Sequence, residues 1–219
     1  MDRWATFDCY GTLIDWELGI GDALSSLWPA ADRAKLLAHF HEVEPRIQQG
    51  SGRPYREVLA AALAGVAEAE GREIPHKREG VLADSLPSWP AFVEVPPALR
   101  ELRGRGWKLG ILSNTDPDLL AASIRQIGVE PDLAVTAREA GSYKPAHGHW
   151  VRFREVSDAD PSRYVHVAAS PFHDLAPCAE IGIPAVWINR LGEGSDLPRA
   201  AEVPDLSRLP DILDGLVMP

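Results

Sequence analysis

Long apolar runs are absent from this sequence, and cysteines are scarce. No stretch approaches the roughly 18 uninterrupted apolar residues of a membrane span, and the opening MDRWATFDCYGT lacks the apolar segment of a signal peptide. The two cysteines, Cys9 and Cys178, lie far apart, and no Cys/His cluster has zinc-ligand spacing. We therefore expect a reduced, cytoplasmic protein with no membrane span and no zinc site.

Basic residues are also in deficit. The chain of 219 residues has 22 Lys and Arg against 32 Asp and Glu, a net charge of -10. Nucleic acids and anionic membranes need a basic surface, so neither is expected as a partner. The acidic excess is interpreted as a solvated surface, and the length suits one large domain or a core domain with a smaller insertion.

The first part of the chain has a helical texture. Apolar residues recur three and four positions apart between Asp22 and about Ala69, in DALSSLW, RAKLLAHFHEVEPRI and YREVLAAALAGVAEA. Pro45 predicts a break or kink in the second segment. Loop composition marks residues 49–54, and the proline-rich residues 84–97 are expected to be a return linker.

The rest of the chain alternates short apolar strands with helices of about ten residues, a pattern typical of a parallel sheet with crossover helices. The predicted strands are RWATFD, WKLGILSN, LAVTA, YVHVAAS and PAVWINR. The pattern predicts an α/β core, a doubly wound parallel sheet formed by residues 1–15 and 93–219. Residues 16–92 are predicted to form a helical insert, and we use that term for them below.

Polar side chains stand at the ends of several predicted strands. They are Asp8, Thr12, Ser113, Asn114, Ser170 and Asp174, with Lys144 in a further segment. In a doubly wound sheet such ends converge on one crevice, where ligands bind. The sequence therefore predicts a site that combines two carboxylates, an ammonium, hydroxyls and an amide.

The segments FDCYGTLID, ILSN, YKP and HDLAP together resemble the haloacid dehalogenase superfamily, and most closely its L-2-haloacid dehalogenase branch. The resemblance covers the whole chain and implies a Rossmann-like core with an inserted helical cap. It implies that Asp8 is the nucleophile and that Thr12 orients it. Lys144 would keep Asp8 ionised, and Asp174 would orient or activate the hydrolytic water.

Substrate-binding roles follow from the same resemblance. Ser113 and Asn114 would hold the anionic group of the substrate or the leaving group. The aromatic residue that relatives carry after the lysine is matched here by Trp150, and the halide-binding arginine of the cap by His41. Arg46 is a second candidate for that arginine. His173 could line the site or serve a structural role at the start of a helix.

Tyr10 bears on the reaction type. Phosphatases of the superfamily carry an aspartate two positions after the nucleophile, which protonates the leaving alkoxide, whereas the dehalogenase branch has tyrosine there. A halide leaves as a stable anion and needs no proton, so Tyr10 favours displacement at carbon. Ala169 replaces the first acid of the metal-binding run, so no obligatory cofactor is expected. The alternative is Mg²⁺ held by Asp8, the carbonyl of Tyr10 and Asp174.

Three functional hypotheses remain at this point. The first is a metal-independent hydrolase that cleaves the carbon–halide bond of a small anionic 2-substituted carboxylate. The second is a Mg²⁺-dependent phosphatase of small phosphate esters. The third is a nearly inactive member that binds a metabolite or a protein partner. Relatives are often homodimers, and by analogy a homodimer is possible here.

Overall fold

A six-stranded parallel sheet forms the centre of the protein in the computed structural model, which describes residues 2–50 and 52–218. The strand order is β3-β2-β1-β4-β5-β6, and every neighbouring pair is parallel. The strands are β1 (Arg3–Phe7), β2 (Trp107–Ser113), β3 (Leu133–Thr136), β4 (Tyr164–Ala168), β5 (Ala185–Ile188) and β6 (Ala201–Val203). The predicted α/β class with a doubly wound parallel sheet is confirmed.

Helices connect the strands. They are α1 (Trp16–Leu27), α2 (Arg33–Gln48), α3 (Tyr55–Ala69), α4 (Val81–Ser85), α5 (Val95–Gly104), α6 (Pro117–Ile127), α7 (Ala137–Ala140), α8 (Gly148–Ser157), α9 (Ala176–Ile181) and α10 (Leu209–Leu216). Asp15 and Asp32 accept backbone hydrogen bonds at the starts of α1 and α2. Such caps satisfy amides that have no partner inside the helix. In the described part of the chain, no helix is long and apolar enough to cross a membrane.

The position of β1 follows from its sequence. All five of its residues are buried, as expected for a strand covered on both faces. It pairs with β2 from Arg3↔Trp107 onward and with β4 from Trp4↔Tyr164 onward. The residue after this strand, Asp8, therefore lies at the middle of the sheet edge where ligands bind in such folds.

The break predicted at Pro45 does not occur, and the return linker predicted at residues 84–97 is shorter than expected. Helix α2 runs through Pro45 without a break, since a proline removes only one helical hydrogen bond, which packing of the helix can offset. Residues 84–97 include the end of α4 and the start of α5, so the predicted return linker is limited to the stretch between these two helices. The prolines of α5 occupy its first turn, where the missing amide hydrogen costs nothing.

The helical insert is tied to the core at both of its ends. The amide of Asp15 donates to the carbonyl of Pro90 at 2.8 Å, and the amide of Phe92 donates to the carbonyl of Leu13 at 3.1 Å. Inside the insert, α2 packs against α1 and α3. One apolar cluster includes residues of both parts, among them Phe40 and Phe7. The boundaries at residues 16 and 92 stay a prediction, which these two bonds support.

Candidate active site

Asp8 is held at the mouth of a tight turn that leaves β1. Its amide donates to the carbonyl of Val167 on the neighbouring strand at 3.0 Å. The turn requires a left-handed backbone at Gly11, where φ is 88°. Thr12 closes the turn: its hydroxyl donates to Asp8 Oδ2 at 3.0 Å and accepts the amide of Ala169 at 2.9 Å. The carboxylate is thus fixed by backbone and side chain together.

Lys144 joins the two carboxylates of the site. Its Nζ donates to Asp8 Oδ1 at 2.8 Å, to Asp174 Oδ1 at 2.6 Å and to the carbonyl of Leu112 at 3.0 Å. These three bonds use all three donors of an ammonium group. Burial lowers the pKa of Lys144, but the charges of Asp174 and Asp8 outweigh it, so the net pKa is raised above its ordinary value. The residue is therefore a permanent cation beside Asp8.

Asp174 is a fully buried carboxylate that Lys144 and His166 both contact. His166 Nε2 lies 3.0 Å from the same Oδ1 that Lys144 contacts, and His166 Nδ1 lies 2.8 Å from the hydroxyl of Thr6. Burial raises the pKa of Asp174, but the charge of Lys144 and the hydrogen bond from His166 outweigh it and hold the pKa well below its usual range. The other oxygen, Oδ2, is buried and has no hydrogen-bond partner among the described residues. Asp174 is therefore an ionised carboxylate with one oxygen left to act on a further group.

A cavity of about 270 Å³ lies above these groups. From the core it is lined by Asp8, Tyr10, Ser113, Asn114, Lys144, Ser170, His173 and Asp174. From the helical insert it is lined by Trp16, His41, Glu44, Pro45, Gln48 and Tyr55, which we call the insert side of the cavity. Most of the residues predicted for the site therefore meet in one place, as strand-end convergence requires.

Ser113 and Asn114 differ in what they offer to a ligand. The hydroxyl of Ser113 is buried and has no hydrogen-bond partner in the part of the chain that the structure describes. The amide of Asn114 is engaged: its Oδ1 accepts the backbone amide of Lys144 at 2.7 Å, and its Nδ2 donates to Gln48 Oε1 at 2.8 Å. Ser113 is thus available for an anionic substrate group, whereas Asn114 positions the lysine.

The two histidines on the cavity differ in setting. His41 stacks on Trp16 with ring centroids 5.2 Å apart, and its Nε2 lies 3.5 Å from Glu17. Arg46, the other candidate for the halide-binding arginine, is exposed and does not line the cavity. His173 lines the cavity, and its amide donates to Ser170 at 3.0 Å. Burial lowers the pKa of His173, so its imidazole is neutral near pH 7.

Trp150 does not lie where the substrate-binding prediction placed it. It is fully buried and belongs to the second apolar cluster of the core. Its ring packs edge-on against His166 at 5.4 Å. Helix α8 turns this side chain inward because Trp150 and Phe153 form the buried stripe of the helix. We therefore assign Trp150 to the support of the site and not to its lining.

Sequence reasoning missed two polar residues of the insert side, Glu44 and Gln48. The buried residues of α2 are Leu36, Phe40, Glu44 and Gln48, spaced four apart. This stripe starts apolar and ends polar. The spacing alone shows that the two polar residues share a face with the apolar ones, because i and i+4 positions lie on one side of a helix.

Gln48 connects the helical insert to the lysine loop. It accepts from Asn114 as described, and its Nε2 donates to Glu44 Oε1 at 2.9 Å. We predict that Gln48→Met and Asn114→Leu show a coupling of about 1 kcal/mol in a double-mutant cycle measured by urea unfolding. The exposed Gln126 provides the control: Gln126→Met combined with Asn114→Leu is expected to be additive. Equal coupling in both cycles would contradict the contact.

A magnesium site was the alternative for Asp8, the Tyr10 carbonyl and Asp174. Both carboxylates already contact the ammonium of Lys144, and a cation between them would meet that like charge. Within the described residues, no group of three or more His, Cys, Asp or Glu side chains is placed to hold a metal ion. The residues present therefore fit the ammonium better than Mg²⁺.

Tyr10 contacts both the core and the helical insert. Its hydroxyl lies 3.0 Å from that of Ser123, and its ring stacks on Tyr55 at 6.3 Å. Burial and the neighbouring Cys9 raise the pKa of Tyr10 above its ordinary value. A phenol in this setting is a poor proton donor to a leaving group at neutral pH.

Comparisons with known proteins agree with this geometry. A family profile described as haloacid dehalogenase-like hydrolase matches residues 3–182. The (S)-2-haloacid dehalogenase of Pseudomonas sp. strain YL is 28% identical over 198 residues, which are 85% of this chain and 82% of that protein. Haloacetate dehalogenase H-2 of Moraxella sp. strain B is 26% identical over 217 residues, 96% of this chain and 94% of that protein. The crystal structure of the L-2-haloacid dehalogenase RSc1362 superposes with a TM-score of 0.86 at 25% identity, covering 97% of this chain and 99% of the other.

Proposed function

Since the chain belongs to the haloacid dehalogenase-like hydrolases, we propose that it hydrolyses the carbon–halogen bond of a small 2-halocarboxylate through an ester on Asp8. The names of the relatives support this reaction. The chain is a hydrolase, and the proposal adds the bond, the substrate class and the nucleophile. The hypothesis of a nearly inactive binding protein is accordingly set aside.

In the first step, a carboxylate oxygen of Asp8 attacks C2 of the substrate. The new C–O bond forms as the carbon–halogen bond breaks, and the halide leaves with the electron pair. Lys144 and Thr12 hold the carboxylate in place during the attack. The ammonium offsets the cost of a charged nucleophile at a position that is 8% exposed. The unpartnered hydroxyl of Ser113 is a donor for the substrate carboxylate.

In the second step, water hydrolyses the ester. The free Oδ2 of Asp174 accepts a proton from that water as the water oxygen attacks the ester carbonyl. The products are the 2-hydroxycarboxylate, the regenerated Asp8 carboxylate and one proton released to solvent. Because Oδ1 is held by Lys144 and His166, the free oxygen has a fixed direction.

The observation that carries this proposal is the pair formed by Asp8 and Tyr10. A nucleophilic carboxylate is present, and the position that carries a proton donor in phosphatases holds a buried tyrosine bonded to Ser123. Displacement of a halide needs the nucleophilic carboxylate but no proton donor. The test is halide release from 2-chloropropionate and fluoroacetate with EDTA present. Silence on both, together with Mg²⁺-dependent turnover of phosphate monoesters, would establish the phosphatase alternative instead.

Asp174→Asn is expected to trap the ester intermediate. The asparagine cannot accept the proton of the water, while Asp8 and Lys144 keep their contact. Intact-mass spectrometry after incubation with 2-chloropropionate should show the protein plus the substrate without its halide, located on Asp8 by peptide mapping.

Asp158→Asn is the matched control for this variant. Asp158 is exposed and has φ of 50°, a conformation that asparagine tolerates well. It should turn over normally and carry no adduct. An adduct on a different residue would refute the assignment of the nucleophile.

We further propose that the helical insert is the cap that closes over the substrate and excludes bulk water, since it supplies one side of the cavity.

The buried free thiols of Cys9 and Cys178 support a cytoplasmic location. A small anionic substrate is the expected partner, and a homodimer stays a prediction that light scattering would test.

A further inference from the structure

Glu44 is a buried carboxyl group on the insert side of the cavity. The residue is 4% exposed and lines the cavity that Asp8 lines from the core. Its Oε1 accepts from Gln48 at 2.9 Å, and its side chain also hydrogen-bonds with that of Tyr55. In the described chain, no lysine or arginine of the insert side accompanies it. A carboxylate without a cation is costly at such a position, whereas a carboxylic acid is not.

The insert side is where the leaving group must point. Attack by Asp8 from the core requires the departing atom to lie in line, on the far side of the reacting carbon. Among the side chains there, Pro45 has no donor and the amide of Gln48 is engaged at both ends. The hydroxyl of Tyr55 is bonded to Glu44, and the indole nitrogen of Trp16 lies against Gly11. His41 stacks on Trp16 near Glu17. Neutral Glu44 adds a hydroxyl donor to this side.

The surroundings favour the neutral form. Burial raises the pKa of Glu44, the hydrogen bond with Tyr55 lowers it in part, and the result is about 7. Several titratable groups line the cavity together with Glu44: Tyr10, His41, Tyr55, Asp8, Lys144, His173 and Asp174. Outside the cavity, the charge of Glu44 contributes to raising the pKa of Tyr143. Lys144, the cation of this set, is already bonded to Asp8 and Asp174.

Building on the proposed dehalogenation, we propose that neutral Glu44 donates a hydrogen bond to the departing halide and that this donor speeds the loss of fluoride more than that of chloride or bromide. Fluoride is the strongest hydrogen-bond acceptor of the halides and the poorest leaving group, so it gains most from such a donor. No proton is transferred: the halide leaves with the electron pair of the C–X bond while the O–H of Glu44 shortens its contact with it. The O–H dipole of the acid stabilises the negative charge that develops on the leaving halide.

The proposal has a defined pH dependence. Above a pH of about 7 Glu44 ionises, loses its donor and repels both the halide and the substrate carboxylate, so kcat/KM should fall. Folding stability follows the same titration. The pKa of Glu44 in the folded chain is raised above the ordinary value of 4.5, so its contribution is fully present below about 4.5 and is lost as the pH rises through 7.

The test uses Glu44→Gln and Glu44→Leu, with Glu42→Gln as the exposed control on the same helix and His41→Gln to separate the imidazole. The substrates are 2-fluoro-, 2-chloro- and 2-bromopropionate. Glu44→Leu should lower kcat/KM about 100-fold for the fluoro compound, as expected for loss of one donor, and less than about tenfold for the bromo compound. Glu44→Gln keeps an N–H donor, so it should stay within about tenfold of wild type and lose the alkaline decline near pH 7.

A melting-temperature readout checks the same titration without turnover. Glu44→Gln should gain stability relative to wild type between pH 5 and pH 8, and Glu42→Gln should not. If wild type releases no halide from any of the three substrates, the proposed function fails. If wild type is active but Glu44→Leu slows all three equally, or Glu44→Gln keeps the alkaline decline, the role of Glu44 is overturned. An unchanged relative melting temperature overturns it as well.

Discussion

Asp8→Asn is expected to abolish halide release, with a fall in kcat of about 10⁴-fold or more. The amide oxygen of asparagine is a far weaker nucleophile than a carboxylate, so the covalent step does not start. The stability loss should be small, because Thr12 can still donate to the amide oxygen and Lys144 keeps its bond to Asp174 at 2.6 Å. Initial rates by halide electrode and a thermal melt on the same preparation measure both quantities.

Asp15→Asn is the control for that experiment. Asp15 stands in the same N-terminal segment, and its side chain accepts the amide of Leu18 as a helix cap. Asparagine caps helices about as well as aspartate, so both activity and melting temperature should be retained. A large drop in the melting temperature of Asp8→Asn, with activity lost in proportion to unfolding, would make Asp8 a structural residue.

Lys144→Met is expected to remove both activity and a large part of the stability. The variant leaves the carboxylates of Asp8 and Asp174 facing each other without their cation, at sites that are 8% and 0% exposed. Removing one partner of a buried ion pair costs about 3–5 kcal/mol. The pH effect arises in the variant, because the charge of Lys144 holds the pKa of Asp174 down and burial raises that pKa once the lysine is gone. The wild-type stability that this ion pair contributes is present above the unfolded pKa and lost as the pH falls through the folded one.

Urea unfolding at pH 7.5 and pH 5 tests this prediction. The deficit of Lys144→Met should shrink at the lower pH, where one carboxyl group can take up a proton. Lys108→Met is the control, because Lys108 pairs with Asp132 at 3.2 Å on the surface, and such pairs contribute about 1 kcal/mol or less. A deficit for Lys144→Met no larger than that of Lys108→Met, or one that does not vary with pH, would show that the buried network is not coupled as described.

The strand ends could be predicted from the sequence because a parallel sheet leaves little freedom there. A short apolar run followed by Asp8, and another followed by Ser113, suffice to bring the two residues to one edge. Strand β6 was missed because three residues, Ala201–Val203, are too few to show a period. The final helix was missed as well, and its single proline, Pro210, and its short length hide its pattern.

The residues of the insert side show which part of the site the sequence could not predict. His41, Glu44 and Gln48 lie on one face of α2, and the spacing shows that they share it. Which way the face points depends on how the insert is tied to the core at Asp15 and Phe92, which involves residues far apart in the chain. The prediction that Trp150 lines the site was not met for a related reason. Helix α8 could bury either of two faces, and its packing on the sheet determines which face is buried.

The central position of β1 has a consequence for the order of events on the ribosome. This strand is synthesised before the other strands of the sheet, and its two neighbours begin only at Trp107 and Tyr164. Until both have been synthesised, an apolar strand stands with unpaired edges while the intervening helices are already complete. Such an edge pairs readily with other nascent chains. The segment that leads into Asp8, the proposed nucleophile, therefore also needs shielding during synthesis.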